Sequence, residues 1–63
     1  MFRYKVDLYA VDEKGNTIME PRRAMCFAFT RSKAIDKCKR AISNAKKVRS
    51  TYLRVLNVEK SIF

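Results

Sequence analysis

The chain lacks histidine and tryptophan, has one glycine and one proline, and carries only six acidic residues against fifteen lysines and arginines. Without histidine it lacks the side chain that most often transfers protons near neutral pH. A single glycine excludes the glycine-rich loops that cradle phosphates. Asp7, Asp12, Glu13 and Glu20 form no evident acid–base pair, and acids beside a turn are usually just solvated. We therefore expect no enzymatic activity.

No apolar run approaches the ~18 residues of a membrane span, and no signal-peptide pattern opens the chain. We expect a cytoplasmic protein with no membrane partner. The two cysteines, Cys26 and Cys38, cannot complete a four-ligand zinc site. A disulfide between them would require the strand and the helix to bring them together, and the cytosol disfavours it. We expect two buried free thiols, no metal and no cofactor.

The length of 63 residues is close to the lower limit for independent folding. Residues 1–63 are expected to form a single small domain, because no linker, repeat or low-complexity segment divides them. Its core must be thin, so a homodimer formed through a sheet edge is one source of added stability.

The first half of the chain has the pattern of a β-hairpin. Residues 2–11, FRYKVDLYAV, alternate apolar and polar side chains as a half-buried strand does. Gly15 and Asn16 then supply turn chemistry, and residues 17–30 return as the second strand. Pro21 has no amide hydrogen for a ladder bond, so it should mark an edge position or a bulge.

The second strand can present either of two faces to the core. A two-residue turn at Gly15-Asn16 pairs Tyr4 with Phe27 and directs the larger side chains of this strand inward, which is the expected arrangement. A bulge near Pro21 would shift the register by one residue and turn Phe27 and Phe29 outward. Beside Tyr9, such an outward pair would resemble a platform for stacking nucleic-acid bases.

The helix follows directly, and Thr30 or Ser32 can cap it while Asp36 lies near its positive end. Spacings of three and four residues place an apolar arc on one side, formed by Ala34, Ile35, Cys38, Ala41, Ile42, Ala45 and Val48. Residues 51–59, TYLRVLNVE, form a third strand. A right-handed crossover then predicts an α+β fold of order β-β-α-β, a sheet with strand order 2-1-3 and one helix on one face.

The positive charge is concentrated in this helix. Residues 31–49 hold eight basic residues and one acid, Asp36, a net charge of +7 out of a total of +9. At about 100° per residue, one stripe opposite the apolar arc contains Lys33, Lys37, Arg40, Asn44 and Lys47. We call this stripe the basic helix face.

Charged helix faces are usually just solvated, but they normally mix signs, since Glu–Lys pairs four residues apart stabilise a helix. Here only Asp36 and Arg40 form such a pair, which favours an anionic partner. The predicted phosphate-binding residues are Lys33, Lys37, Arg40 and Lys47 at the centre, with Arg22, Arg23, Arg31, Lys39, Lys46 and Arg49 around them.

The layout FRYKVDLYAV–KGN–AMCFAFTRSKAIDKCKRAI–YLRVLNVE resembles a scaffold of small phage-encoded host-takeover proteins, including RNA polymerase inhibitors and anti-CRISPR proteins. It is also similar in outline to a small basic archaeal ribosomal protein. The resemblance covers most of the chain and is one of architecture, since no diagnostic motif accompanies it. It therefore carries no functional residue over to this sequence.

Two functions follow as hypotheses. The first is a non-enzymatic module that contacts DNA or RNA phosphates through the basic helix face. The second, which the resemblance suggests, is a small phage or mobile-element inhibitor whose basic face docks on an acidic or nucleic-acid-binding groove of a larger protein.

Overall fold

A computed structural model describes residues 1–61 and confirms the predicted α+β fold with strand order 2-1-3. All neighbouring strands are antiparallel, and the helix packs on one face of the three-stranded sheet. In chain order the elements are β1 (Phe2–Val11), β2 (Thr17–Ala28), α1 (Arg31–Lys46), a 3₁₀ turn (Ser50–Tyr52) and β3 (Leu53–Ser61).

The alternation in β1 determines the core, as predicted. Tyr4, Val6, Leu8 and Ala10 are buried on the helix side of the central strand, while the residues between them are only partly covered. The other elements add a few small or aliphatic side chains to the buried set, namely Ala28, Ala34, Cys38 and Leu53. β3 is covered on this face through Val55 and Val58, which pack against the core.

The expected register of the hairpin is wrong by one residue. Tyr4 lies opposite Cys26 rather than Phe27, and Val6 lies opposite Ala24. The pairing shifts twice near the hairpin end, between Leu8 and Ala10 and again between Ala10 and Val11. Pro21 lies in the interrupted stretch of β2, an edge strand, where its missing amide hydrogen is tolerated.

The turn that connects β1 to β2 has three loop residues rather than two. The Asp12 amide donates to the Asn16 carbonyl at 2.9 Å, and Gly15 takes a positive φ of 86°. The Asp12 carboxylate accepts hydrogen bonds from the amides of Asn16 and Lys14, both at 2.9 Å. These bonds, that from Asn16 foremost, lower the pKa of Asp12 and hold the longer loop closed.

The shifted register directs the small residues of β2 toward the helix and the large ones away from it. Ala24, Cys26 and Ala28 face α1, and the Cys26 thiol lies 3.3 Å from the Ala34 carbonyl oxygen as a hydrogen-bond donor. Small side chains on both elements allow the helix to approach the sheet closely. Met25 and Phe27 therefore point to the face of the sheet opposite the helix, as in the alternative arrangement, and are about half exposed.

The helix is capped as expected by Thr30, whose hydroxyl accepts a 3.2 Å hydrogen bond from the Lys33 amide. Its apolar arc is narrower than predicted, because Ala41 and Ala45 are exposed. A hollow of about 290 Å³ is lined by Lys46 and by residues 19–22 around the irregular part of β2. The bent strand therefore leaves the last turns of α1 without close cover on this side.

Candidate nucleic-acid interface

All five residues of the basic helix face are exposed. Within residues 1–61, both ion pairs closer than 4.0 Å are made by Arg23, so no cation of this face has an acidic partner there. The predicted pair between Asp36 and Arg40 does not form. Unneutralised cations along four turns repel one another, and an arriving polyanion would relieve this repulsion.

Lys37 carries the basic helix face to the edge of the sheet. Its Nζ donates a 2.7 Å hydrogen bond to the backbone carbonyl of Phe27, on the edge strand β2. Helical periodicity places Lys37 directly opposite the core, but its side chain extends toward β2. The basic helix face therefore adjoins the strand that carries Met25 and Phe27.

On its other side the helix borders a shallow groove of about 470 Å³. Lys39 and Arg40 supply cations to it, and Asp36 supplies the single acid. Hydroxyl groups complete the lining, from Ser43 on the helix and from Ser50 and Thr51 in the 3₁₀ turn. The pattern of charges in the sequence predicted Lys39 and Arg40, whereas no sequence signal singled out Ser43, Ser50 or Thr51.

The two neighbouring arginines of β2 lie on opposite faces of the sheet. Arg22 is opposite Leu8, on the helix side, and lines the hollow beside Lys46. Arg23 is on the side opposite the helix, where its Nε lies 2.8 Å from an Asp7 oxygen and its Nη1 lies 3.9 Å from Glu59.

The hydrogen bond from Arg23 holds the pKa of Asp7 below its ordinary value. The geometry thus places Arg22 beside Lys46 at the end of the helix and holds Arg23 on the other face of the sheet.

The remaining predicted cations lie at the two ends of the helix. Arg31 is the first helical residue and is exposed, and the first turn contains no acid. Arg49 is exposed immediately before the 3₁₀ turn. Cations at a helix start face the positive end of the dipole, which is unfavourable unless an anion is present. The start of the helix therefore favours a bound phosphate, whereas Arg49 contributes only its exposed charge.

Lys47 ends the helix in an unfavourable conformation. Its φ of 55° and ψ of 42° are left-handed, and its amide bonds to the Ser43 carbonyl. The Ser43 hydroxyl donates to the Val48 carbonyl at 2.6 Å and fixes the turn. Glycine is the usual residue at such a position because it has no Cβ.

Replacing Lys47 with glycine should therefore raise the free energy of unfolding by about 1 kcal/mol, or the melting temperature by roughly 4–8 °C. Lys46→Gly is the matched control, because it removes the same charge one residue earlier, inside the helix, where glycine costs about 1 kcal/mol. Thermal and urea unfolding of both variants measure the difference. A loss of stability in Lys47→Gly equal to that in Lys46→Gly would contradict the left-handed assignment.

The two cysteines are free, as predicted, and adjoin one another between β2 and α1, but only Cys38 is buried and Cys26 is half-buried. Burial, with a smaller contribution from the neighbouring Cys26 thiol, raises the pKa of Cys38 to about 12. A thiol with such a pKa stays protonated and is a poor nucleophile at neutral pH. Both cysteines therefore belong to the packing between helix and sheet.

The described part of the chain contains neither a metal-binding cluster nor a membrane-spanning helix. Residues 1–61 contain no group of three or more histidine, cysteine or acidic side chains that could hold a metal ion. None of the helical segments in this range is long and apolar enough to cross a bilayer. Comparison of the sequence and the structure with family models, curated proteins and solved structures finds no match.

Proposed function

We propose that this protein binds the phosphate backbone of nucleic acids through the basic helix face. The observation that carries the proposal is a run of cations along one exposed face, none of them paired with an acid within residues 1–61. Phosphate contacts of this kind give affinity and orientation but little reading of sequence. We expect dissociation constants of roughly 1–100 µM at physiological salt, as for non-specific binding.

The cations reach both flanks of the helix, which supports contact with a chain of phosphates rather than with one anion. Lys37 extends toward β2, and Arg40 borders the hydroxyl-lined groove near the 3₁₀ turn. Lys33 and Lys47 extend the surface to the two ends of the helix. If each of these four cations contacts one phosphate, binding should neutralise four phosphates and release the counterions condensed on them.

Salt dependence tests the proposal directly. Four phosphate contacts predict a slope of about −3.6 for log K against log salt on a duplex, and about −2.8 on a single strand. Between 50 and 200 mM salt, the affinity for a duplex should therefore fall by about 150-fold. Fluorescence anisotropy with labelled DNA and RNA measures the slope. Affinity that is unchanged over this range would refute backbone binding.

Docking on an acidic groove of a larger protein is the second candidate, because it uses the same unpaired cations. A defined protein retained on the immobilised chain after nuclease treatment, together with no binding to oligonucleotides, would favour that function.

A further inference from the structure

The hydroxyl-lined groove between α1 and the 3₁₀ turn contains an acid that contact with phosphates does not explain. Asp36 lines this groove together with Lys39 and Arg40. Within residues 1–61 its carboxylate has no hydrogen bond and no ion pair closer than 4.0 Å. It lies in the second turn of α1, beyond the first turn in which the helix dipole stabilises an acid. Neither a salt bridge nor the dipole therefore accounts for Asp36.

The charge of Asp36 determines what kind of ligand group it can bind. A carboxylate beside phosphate contacts repels the phosphates, because the charges have the same sign. An ionised carboxylate accepts hydrogen bonds and donates none. A ligand that gains from Asp36 must therefore present a hydrogen-bond donor next to its phosphates. In a nucleic-acid backbone that donor is the ribose 2′-hydroxyl, which RNA has and DNA lacks.

The spacing of the side chains fits a phosphate joined to its ribose. Asp36 and Arg40 are four residues apart on α1, so their Cβ atoms are neighbours on the helix surface, about 5–6 Å apart. A phosphate held by Arg40 would bring the adjoining sugar next to Asp36. The groove volume of about 470 Å³ lies within the range of small-ligand sites, about 300–1,000 Å³.

The hydroxyl groups of the groove suit the other oxygen atoms of a sugar. Those of Ser50 and Thr51 make no hydrogen bond within residues 1–61, so each can donate one bond and accept others. The Ser43 hydroxyl already donates to the Val48 carbonyl at 2.6 Å, which leaves its oxygen as an acceptor. The groove thus combines cations with uncharged donors and acceptors, as a sugar–phosphate unit requires and a bare anion does not.

We infer that the hydroxyl-lined groove binds a ribose through Asp36, so that the protein prefers RNA to DNA. The inference rests on the proposed function and specifies the nucleic acid. Asp36 repels the phosphates of RNA and DNA alike, so its hydrogen bond to the 2′-hydroxyl sets the ratio of the two affinities. A hydrogen bond to a charged group corresponds to a ratio of about tenfold.

Oligouridine and oligodeoxyuridine of about 12 nucleotides test the preference, because they share the base and differ in the 2′-hydroxyl. Fluorescence anisotropy should show binding to the ribose strand that is about tenfold tighter. A strand with fluorine in place of each 2′-hydroxyl keeps the sugar conformation of RNA but has no hydrogen to donate. It should bind as weakly as the deoxyribose strand.

Replacing Asp36 with alanine separates the hydrogen bond from the charge. Loss of the acid removes repulsion, so the affinity for oligodeoxyuridine should rise by about 2.5-fold. The affinity for oligouridine should fall by about fourfold, because the hydrogen bond is lost as well, and the ratio should approach one. Glu13→Ala is the matched control, since it removes the same charge from the exposed hairpin loop and should keep the ratio near tenfold. Circular dichroism checks that both variants fold.

Equal, salt-dependent binding of the ribose and deoxyribose strands would overturn the inference and leave the proposed function in place. An unchanged ratio in Asp36→Ala would also overturn it, as would a fluorinated strand that binds as tightly as oligouridine, because Asp36 would then not read the 2′-hydroxyl. Absence of binding to every strand would overturn both the inference and the proposed function.

Discussion

Replacing Leu8 with alanine is expected to lower the free energy of unfolding by about 3–5 kcal/mol, as for other fully buried leucines. Leu8 has no exposed surface and lies at the centre of the middle strand, against the helix-side core. A chain of this length has a total stability of roughly 3–9 kcal/mol. The variant should therefore melt about 15–30 °C lower, and part of it should be unfolded at room temperature.

Leu56→Ala is the matched control, since the same atoms are removed from a side chain that is 57% exposed on β3. It lies at the register shift of that strand and should cost less than about 1 kcal/mol. Urea denaturation followed by circular dichroism measures both variants. Equal losses in Leu8→Ala and Leu56→Ala would show that the core does not lie between β1 and the helix.

Removing the four cations of the basic helix face should abolish measurable nucleic-acid binding. At 0.1 M salt, each phosphate contact contributes about 0.9 log units of affinity for a duplex, through the counterions that it releases. Single glutamine substitutions of Lys33, Lys37, Arg40 and Lys47 should each weaken duplex binding about eightfold, and the quadruple variant about 4,000-fold. Glutamine is chosen because its helix propensity matches that of lysine and arginine, so that the fold is retained.

Lys14→Gln is the control, because it removes the same charge from the exposed hairpin loop. If net charge alone governed the affinity, this variant would weaken binding as much as each helix variant does. We expect a change below twofold and an unaltered salt slope, while each helix substitution lowers the slope by about 0.9. Full binding by the quadruple variant would assign the phosphate contacts to another surface.

The elements of the fold were predictable because their signals are local. Alternation in β1 placed Tyr4, Val6 and Leu8 in the core, and the structure buries all three. Spacings of three and four residues and the Thr30 cap predicted the helix, which begins at Arg31. The order of elements then left one compact arrangement, since a crossover from β2 through α1 has to bring β3 beside β1.

The register of β2 was not predictable, because it depends on the length of the loop and on two shifts in the pairing between the loop and Phe27. A two-residue turn at Gly15-Asn16 and the observed three-residue loop use the same turn-forming residues. The Asp12 carboxylate, which binds the amides of Lys14 and Asn16, accompanies the longer loop. Since side chains alternate along a strand, the altered pairing moves Phe27 from the core to the face opposite the helix.

The width of the helix's apolar arc also depended on tertiary contacts. Helical periodicity groups Ala41 and Ala45 with Ala34 and Cys38, but only the latter two are buried. Burial requires a partner at the right distance, and the irregular pairing of β2 near Pro21 leaves a hollow beside the last turn of α1.

By itself, the sequence determined the elements, their order and the concentration of positive charge in residues 31–49, because these depend on composition and on periodicity along one chain segment. Tertiary structure decided which side chains share a surface. It separated Arg22 from Arg23, brought Lys37 to the Phe27 carbonyl and placed Met25 and Phe27 on the face opposite the helix. Strand register and helix placement set those relations, and both follow from contacts between residues far apart in the chain.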